Sequence, residues 1–180
     1  MPIDRSKIES ATSLIPNLRI VSDSLIRGGQ PEPRGLDVLK NGGVRTIVNL
    51  CGSSSGLVSL FRGGGAAACE TEELRNERAT AEKLGLNFVS IPLDVFRRPG
   101  EESLQKFVDV IHDADNGPIF LHCLHGRDRT GLMTAIYRVS CDGWQPDKAY
   151  AEMLECGFDA TFTHLSDAMF AFSKRASSNR

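Results

Sequence analysis

A short apolar run leads directly into a polar loop and then into a second apolar segment, and this transition constrains the fold more than any other feature of the chain. Residues 119–122 (IFLH) have the composition of a buried strand, and residues 132–139 have the apolar content of a buried helix. Only CLHGRDRTG, at positions 123–131, separates them. The sequence therefore predicts a strand–loop–helix unit in which Cys123 is the first residue after the strand.

The rest of the chain alternates in the same way between strand-like and helix-like segments. The predicted elements are, in chain order, a hairpin-like pair of strands at 18–21 and 25–27, a helix at 33–41, a strand at 44–50, a helix at 70–84, a strand at 87–91, a helix around 104–111, and helices at 147–155 and 163–174. This alternation predicts an α/β fold whose central, mostly parallel, twisted sheet is flanked by helices.

A chain of 180 residues is expected to form one main domain. We expect residues 1–17 to form an N-terminal arm that contains a short helix or an ordered stretch, and residues 18–176 to form the single folded domain. Residues 51–68 are rich in Gly, Ser and Ala. They are typical of a surface loop, and a lid over a site is the alternative, because long loops in compact domains are often functional.

Charge and cysteine content exclude several classes of function. The net charge is −2, from 21 basic and 23 acidic residues, so we expect no nucleic-acid partner. No apolar run reaches about 18 residues, so no membrane span is predicted. The five cysteines contain no C-x-x-C pair, which argues against a disulfide framework and a zinc knuckle. A reducing, cytoplasmic location is the simplest expectation.

The loop at 123–131 has the chemistry of an anion-binding site. Its strand delivers Cys123 to the edge where open α/β sheets bind ligands, and Gly126 permits unusual backbone angles. The helix that begins near Arg129 adds the positive end of its dipole, which favours an anion and lowers the pKa of a nearby thiol. A thiolate at this position is a nucleophile. The guanidinium of Arg129 can bind two phosphate oxygens, and the hydroxyl of Thr130 can stabilise the departing sulfur.

The pattern HCxxGxxRTG at 122–131 resembles the signature of the protein tyrosine phosphatase superfamily, and the short length of the chain resembles its small, dual-specificity-like bacterial branch. This resemblance covers about residues 18–160. It implies a phosphocysteine intermediate on Cys123, a phosphate clamp at Arg129 and no metal or other cofactor. His122 is expected to support the loop, with simple packing as the alternative. The residues expected to bind the substrate phosphate are Leu124, His125, Gly126, Arg127, Asp128 and Arg129.

The resemblance also implies a general acid that protonates the leaving oxygen. Asp94 is the main candidate, because it follows a strand end and lies upstream of the nucleophile as in small dual-specificity members. The alternative is an aspartate that caps a turn. Asp128, inside the loop, is the rival acid, and its own alternative is a carboxylate that pairs with a neighbour and orders the loop.

The expected reaction is hydrolysis of a phosphomonoester on phosphotyrosine or phosphoserine/threonine proteins. His125 and Arg127 make the loop unusually basic, which favours an inositol phosphate or phosphoinositide as the alternative substrate. Both side chains could instead face solvent or acidic neighbours. Two other functions stay open: a catalytically inactive phosphate-binding module, and a rhodanese-like or arsenate-reducing enzyme, since these also place a cysteine in an anion loop.

Overall fold

The computed structural model describes residues 3–51 and 71–178. Five strands form one sheet: β1 (Arg19–Ile20), β2 (Leu25–Gly28), β3 (Thr46–Cys51), β4 (Asn87–Leu93) and β5 (Ile119–His122). Their spatial order is β1-β2-β5-β3-β4. The outer strand β1 is antiparallel to β2, and all other neighbours are parallel. The predicted hairpin and the predicted mostly parallel sheet are therefore confirmed.

Helices cover both faces of this sheet. They are α1 (Arg5–Ser10), followed by a 3-10 turn (Ala11–Ser13), α2 (Pro33–Asn41), α3 (Glu72–Lys83), α4 (Glu101–His112), α5 (Asp128–Ser140), α6 (Pro146–Glu155) and α7 (Thr163–Ser178). Local chemistry sets several of their starts. Proline occupies the first turn of α2 and α6, where its missing N–H is not needed, and the Thr71 hydroxyl accepts the Leu74 N–H at the start of α3.

The two faces of the sheet bury two separate apolar clusters. On one face, Ile26, Ile47 and Phe120 pack with the apolar residues of α1, α2 and α3. On the other, residues such as Val48 and Leu121 pack with α4, α5, α6 and α7. The strands β2 and β5 are buried along their whole length, which is typical of parallel strands covered on both sides.

The strand–loop–helix unit predicted from 119–139 lies at the centre of this arrangement. The strand β5 lies between β2 and β3, and α5 packs against α6 and α7, so that most of its side chains are buried. Because β2, β3, β4 and β5 are parallel, their carboxyl ends share one edge of the sheet. The residues that follow those ends are therefore brought together there.

The predicted helix at 33–41 is confirmed residue for residue, and the predicted strands at 44–50 and 87–91 are confirmed with boundaries shifted by a few residues. The short helix expected in the arm is α1, and its Ile8 is fully buried, as is Ile15 beyond it. The division of the chain at residue 17 stays a prediction. The Gly- and Ser-rich segment expected as a loop or lid lies outside the described residues, apart from Cys51 at the end of β3.

Within the described ranges, none of the helices combines the length and the apolar character that crossing a bilayer requires.

Candidate active site

A pocket of about 710 Å³ opens at the shared edge, beyond the carboxyl ends of β3 and β5. Cys123 lies in its wall, together with most of the loop that follows β5. The described residues that line it are Gln30, Asn49, Cys51, Thr71, Glu73, Leu74, Val95, Cys123, Leu124, His125, Arg127, Asp128, Arg129, Gly157, Asp159 and Phe162. The sequence-predicted loop thus forms one side of a cavity large enough for a small phosphorylated group.

The loop lies directly against the end of β2. Its Leu124 carbonyl accepts the Gln30 N–H at 3.1 Å. Gly126 has φ +69, and a Cβ there would lie only 2.4 Å from the Gly28 carbonyl carbon and 2.5 Å from the Gly29 nitrogen. Both the backbone angle and the close approach therefore require glycine at position 126.

The helix α5 begins at Asp128, immediately after the loop, and its first intrahelical bond runs from the Gly131 N–H to the Arg127 carbonyl at 2.7 Å. The N–H groups of its first turn have no intrahelical partner and lie at the end of the helix that adjoins the loop. They give this end of the 13-residue helix a partial positive charge, which favours a bound anion.

The thiol of Cys123 is buried, with only 2% of the residue exposed. Burial alone would raise its pKa, but hydrogen bonds from the Thr130 hydroxyl and from the N–H groups of Thr130 and Gly126, together with the charge of Arg129, outweigh burial and lower the pKa of Cys123 below its ordinary value. Thr130 is itself fully buried. The site therefore stabilises a thiolate at a position where burial opposes one.

A second cysteine in the pocket wall behaves in the opposite way. Cys51 donates its S–H toward Gln30 Oε1 at 3.6 Å. Burial raises the pKa of Cys51 to about 12, although Arg129 lowers it in part. Of the two thiols in this wall, Cys123 alone has the ionisation that nucleophilic attack requires.

The guanidinium of Arg129 is anchored at the ends of two strands. Its Nη1 lies 3.4 Å from the Leu50 carbonyl and 3.4 Å from the Leu93 carbonyl, and the residue lines the pocket. These contacts hold one side of the guanidinium against the sheet edge. The remaining N–H groups are the ones that can form a two-point contact with phosphate oxygens.

A buried polar network supports the loop from behind. His122 is fully buried; its Nε2 lies 2.8 Å from Glu77 Oε1, and its Nδ1 lies 3.4 Å from the Cys123 carbonyl oxygen. The two atoms of this contact are close but are not aligned as a hydrogen bond. The other oxygen of Glu77 accepts Asn49 Nδ2 at 2.6 Å and Gln30 Nε2 at 2.8 Å. Glu77 thus ties α3 to three strand ends.

Burial would raise the pKa of Glu77, but the neighbouring His122 and the hydrogen bonds from Gln30 and Asn49 outweigh it and hold that pKa below its usual value. The sequence pattern did not point to Glu77, the partner of His122, or to Gln30 and Asn49, the partners of Glu77. Asn49 carried a signal, as a polar residue inside the otherwise apolar end of a strand. Glu77 carried none, because it lies in a helix that is charged along most of its length.

Asp94 follows β4 but lies outside the set of described residues that line the pocket; its neighbour Val95 belongs to that set. Its carboxylate accepts the Phe96 N–H at 2.9 Å and lies 3.4 Å from Arg97 Nε. About half of the side chain is exposed. The described geometry is thus that of a turn-capping aspartate near the pocket, and its role as general acid stays a prediction.

Asp128 and Arg127 both face the segment that follows α6. The Asp128 carboxylate accepts the Asp159 N–H at 2.9 Å, so Asp128 orders that segment; its predicted roles as general acid or as a residue that orders the loop stay predictions. The alkyl chain of Arg127 lies against Gly157. Hydrogen bonds from Thr161, with a smaller effect of Arg127, lower the pKa of Asp159. Arg127 therefore has a carboxylate neighbour, while His125 is exposed at the pocket wall.

The mouth of the pocket is bordered by apolar side chains. Leu124 is 52% exposed although it belongs to the loop, and Leu74 and Val95 also line the cavity. Phe162 completes this border and makes an edge-on contact with Phe96, with 5.9 Å between the ring centroids. An organic group attached to a phosphate in this pocket would meet an apolar surface.

Several known proteins are similar to this chain in sequence or in fold. A family model described as “DSP-PTPase phosphatase fused to NAD+ kinase” matches residues 11–169. The dual specificity protein phosphatase TpbA of Pseudomonas aeruginosa is 27% identical over 142 residues, which cover 79% of this chain and 55% of TpbA. An inositol diphosphatase of Arabidopsis thaliana is 27% identical over 122 residues, which cover 68% of this chain and 54% of that protein. The chain spans about half the length of these curated relatives.

The fold is also that of a solved structure, a cysteine-to-serine variant of P. aeruginosa TpbA in complex with pTyr. The two chains superpose with a TM-score of 0.64 at 22% identity, over 92% of this chain and 91% of the other. At this identity the likeness establishes the shared architecture.

The contacts of Gly126 lead to a first prediction. Gly126→Ala should abolish binding of inorganic phosphate, because the added methyl group collides with the backbone at Gly28 and Gly29. Gly143→Ala is a matched control, since Gly143 has φ +68 and no described atom lies within 4 Å of the added Cβ. The control should lose about 1–2 kcal/mol of stability, the cost of an alanine in the left-handed region, and keep phosphate binding. Equal phosphate affinity in the two variants, measured by calorimetry, would contradict this account of the loop.

The depressed pKa of Glu77 leads to a second prediction. A carboxylate with a folded pKa below its unfolded value of about 4.3 stabilises the protein above that pH, and the contribution disappears as the pH falls through the folded pKa. Glu77→Gln should therefore lower the free energy of unfolding by about 1.5–3 kcal/mol at pH 7. Its difference from wild type should shrink below about pH 4.

Urea unfolding at several pH values measures this difference, and Glu82→Gln, an exposed site on the same helix, is the control. A difference that stays constant from pH 7 to pH 3 would show that the charge of Glu77 is not what stabilises the network.

Proposed function

The chain belongs to the family described as “DSP-PTPase phosphatase fused to NAD+ kinase”, and from this premise we propose that it is a cysteine-dependent phosphomonoester hydrolase that works through a phosphocysteine on Cys123. One observation carries the proposal. Cys123 is a buried thiol with a lowered pKa, and it lies in the wall of a pocket beside the positive end of α5 and the guanidinium of Arg129.

The first chemical step transfers the phosphoryl group to sulfur. The Cys123 thiolate attacks phosphorus, an S–P bond forms, and the P–O bond to the leaving group breaks. Arg129 and the loop N–H groups stabilise the charge on the phosphoryl oxygens. A general acid gives a proton to the leaving oxygen, so the product leaves as a neutral alcohol or phenol.

The second step returns the enzyme to its starting state. A water molecule attacks phosphorus and loses a proton to the same carboxylate, now a base; the S–P bond breaks, and inorganic phosphate leaves. The Thr130 hydroxyl, which lies between the sulfur and the Gly28 carbonyl, stabilises the thiolate as it departs by donating its hydrogen to the sulfur. The proton taken up in this step replaces the one given away in the first.

We assign the acid–base role to Asp94. The Asp128 carboxylate accepts the Asp159 N–H and so joins the loop to the segment after α6. Hydrogen bonds from Thr161 lower the pKa of Asp159, which disfavours its protonated form near neutral pH. The Asp94 side chain is half-exposed and sits on the segment that joins β4 to Val95 in the pocket wall. A rotation of this side chain away from the Phe96 N–H would free it to meet the leaving oxygen.

The preferred substrate in this proposal is a single phosphate on an aromatic or other apolar group, as in a phosphotyrosine protein. The described charged residues of the pocket wall do not sum to a basic site: Arg127 and Arg129 are opposed by Glu73, Asp128 and Asp159. The apolar mouth at Leu124 and Phe162 suits a phenyl ring. A relative named as a dual specificity protein phosphatase supports this choice.

An inositol phosphate is the second candidate. The observation in its favour is that His125 and Arg127 both line the pocket in addition to Arg129, so three side chains could meet a polyanion. A relative named as an inositol diphosphatase supports this alternative. The two candidates differ in how many phosphates the pocket must neutralise, and this difference can be measured.

A third prediction concerns activity. Phosphate release should be fastest from a phosphotyrosine peptide, slower from a phosphoserine peptide, and slowest from inositol hexakisphosphate and a phosphoinositide. Cys123→Ser should release no phosphate from any of them while still binding the phosphotyrosine peptide, because the hydroxyl is not ionised near pH 7. Turnover by this variant would refute the phosphocysteine mechanism, and a preference for the inositol compounds would make them the substrate class.

A fourth prediction concerns the acid. Asp94→Ala should reduce kcat on the phosphotyrosine peptide by about 10²–10⁴-fold, the usual contribution of general acid–base catalysis. The loss should be much smaller on a substrate with an acidic phenol, whose leaving group needs no proton. Asp37→Ala, on the opposite side of the sheet in α2, is a control for loss of a carboxylate. A loss of only a few-fold on the peptide would remove Asp94 from this role.

A further inference from the structure

We propose that Asn17 and Arg27 are positioning residues for the anion site: together they hold the carbonyl of Gly126 away from the pocket, and this turns the N–H of the same peptide bond toward the bound phosphate. The inference rests on the proposed function, since it concerns how the same loop binds its anion. Neither residue belongs to the signature at 122–131.

The Gly126 carbonyl oxygen accepts two hydrogen bonds from side chains. Asn17 Nδ2 donates to it at 2.8 Å, and Arg27 Nη2 donates to it at 2.8 Å. In a trans peptide bond the C=O and the N–H point to opposite sides. The N–H opposite this carbonyl is that of Arg127, so fixing the carbonyl on the outer side of the loop aims the Arg127 N–H at the inner side.

The backbone conformation of Asn17 and its other side-chain contacts hold its amide group in position for this bond. It has φ 50, the left-handed region, which asparagine tolerates better than most residues, and among the described non-glycine residues it alone has a positive φ. Its Nδ2 also donates to the Cys156 carbonyl at 2.9 Å, and its Oδ1 lies 3.4 Å from Arg19 Nε. The amide nitrogen of Asn17 thus meets two carbonyl oxygens, and its amide oxygen meets an N–H donor. A flipped amide would lose these contacts, so they fix which way the amide group points.

Arg27 approaches the same carbonyl from the sheet. It lies on β2 opposite Leu121 of β5, two residues before the nucleophile, and it is 1% exposed. Burial lowers the pKa of its guanidinium, and the nearby Cys156, Glu152 and Cys123 counteract this. A cation buried behind the loop is costly unless nearby negative charge stabilises it. An anion at Cys123 provides such charge, so Arg27 and the anion stabilise each other.

Loss of the Asn17 contact can be tested with a nearly isosteric change. Asn17→Asp keeps the size of the side chain and its tolerance of positive φ, but it replaces the NH₂ donor with an oxygen. Asn87→Asp is the control. It adds the same charge at an exposed position, the first residue of β4, whereas the pocket lies beyond the carboxyl ends of the strands. Asn17→Gly removes the donor with no new charge, and Arg27→Lys keeps the cation but loses the guanidinium fork.

The measurement is alkylation of Cys123 by iodoacetamide, followed residue by residue with mass spectrometry, in the absence and presence of inorganic phosphate. Protection by phosphate gives its affinity, and the pH dependence of the rate gives the thiolate fraction. Asn17→Asp and Asn17→Gly should weaken phosphate binding by about tenfold, the effect of one lost hydrogen bond to an anion. Arg27→Lys should weaken phosphate binding by a similar factor. It should also shift the pH dependence of the Cys123 alkylation rate to higher pH.

Circular dichroism and thermal unfolding are measured for each variant, so that phosphate affinities are compared only between variants that fold. If Asn17→Asp does not fold, Asn17→Gly carries the same test. Variants that lose thermal stability but bind phosphate as tightly as Asn87→Asp would overturn the positioning role. Because phosphate release is not the readout, a wild type without turnover would count against the proposed function alone.

Discussion

The site depends on one requirement, the stabilisation of a negative charge at the end of a buried parallel strand. Cys123 is 2% exposed, and burial opposes ionisation of its thiol. The compensating groups, Thr130, Arg129 and the loop N–H groups, come from the residues that follow in the chain. They converge only if the loop curls and α5 starts immediately after it. The central position of β5 and the deep burial of α5 hold these groups in place around Cys123.

A second layer of polar groups lies behind the loop and supports the loop conformation in which the charge on Cys123 is stabilised. Glu77 contacts His122 and accepts hydrogen bonds from Asn49 and Gln30. Arg27, on β2, donates a hydrogen bond to the Gly126 carbonyl of the loop. Compared with an apolar core, a complete set of buried charges adds little to net stability, because desolvation offsets the attraction, although removing one member of the set is costly. They are better understood as groups that specify one conformation of the loop. The N-terminal segment joins this layer, since the Pro16 carbonyl accepts the Gly29 N–H at 2.6 Å.

The strand–loop–helix unit and its nucleophile could be predicted because all the necessary information lies within a few consecutive residues. The supporting groups could not. Arg27 is 99 residues from its partner Gly126, and Asn17 is 109 residues away. Such contacts exist only after the sheet has formed, and polar residues on short strands give no local pattern that identifies their partner. Asp94 shows the converse limit: its place after β4 and a turn-capping carboxylate were both predictable, but the sequence alone does not tell whether that carboxylate also reaches the pocket.

The most direct test of this account is to trap the covalent intermediate. Wild-type protein is mixed with p-nitrophenyl phosphate, quenched in acid during the first turnover, digested and examined by mass spectrometry. The account predicts phosphate on the peptide that contains Cys123, accumulating as p-nitrophenol appears and disappearing as inorganic phosphate is released. Phosphate on a different side chain, or release of both products in step while Cys123 remains unmodified, would contradict it.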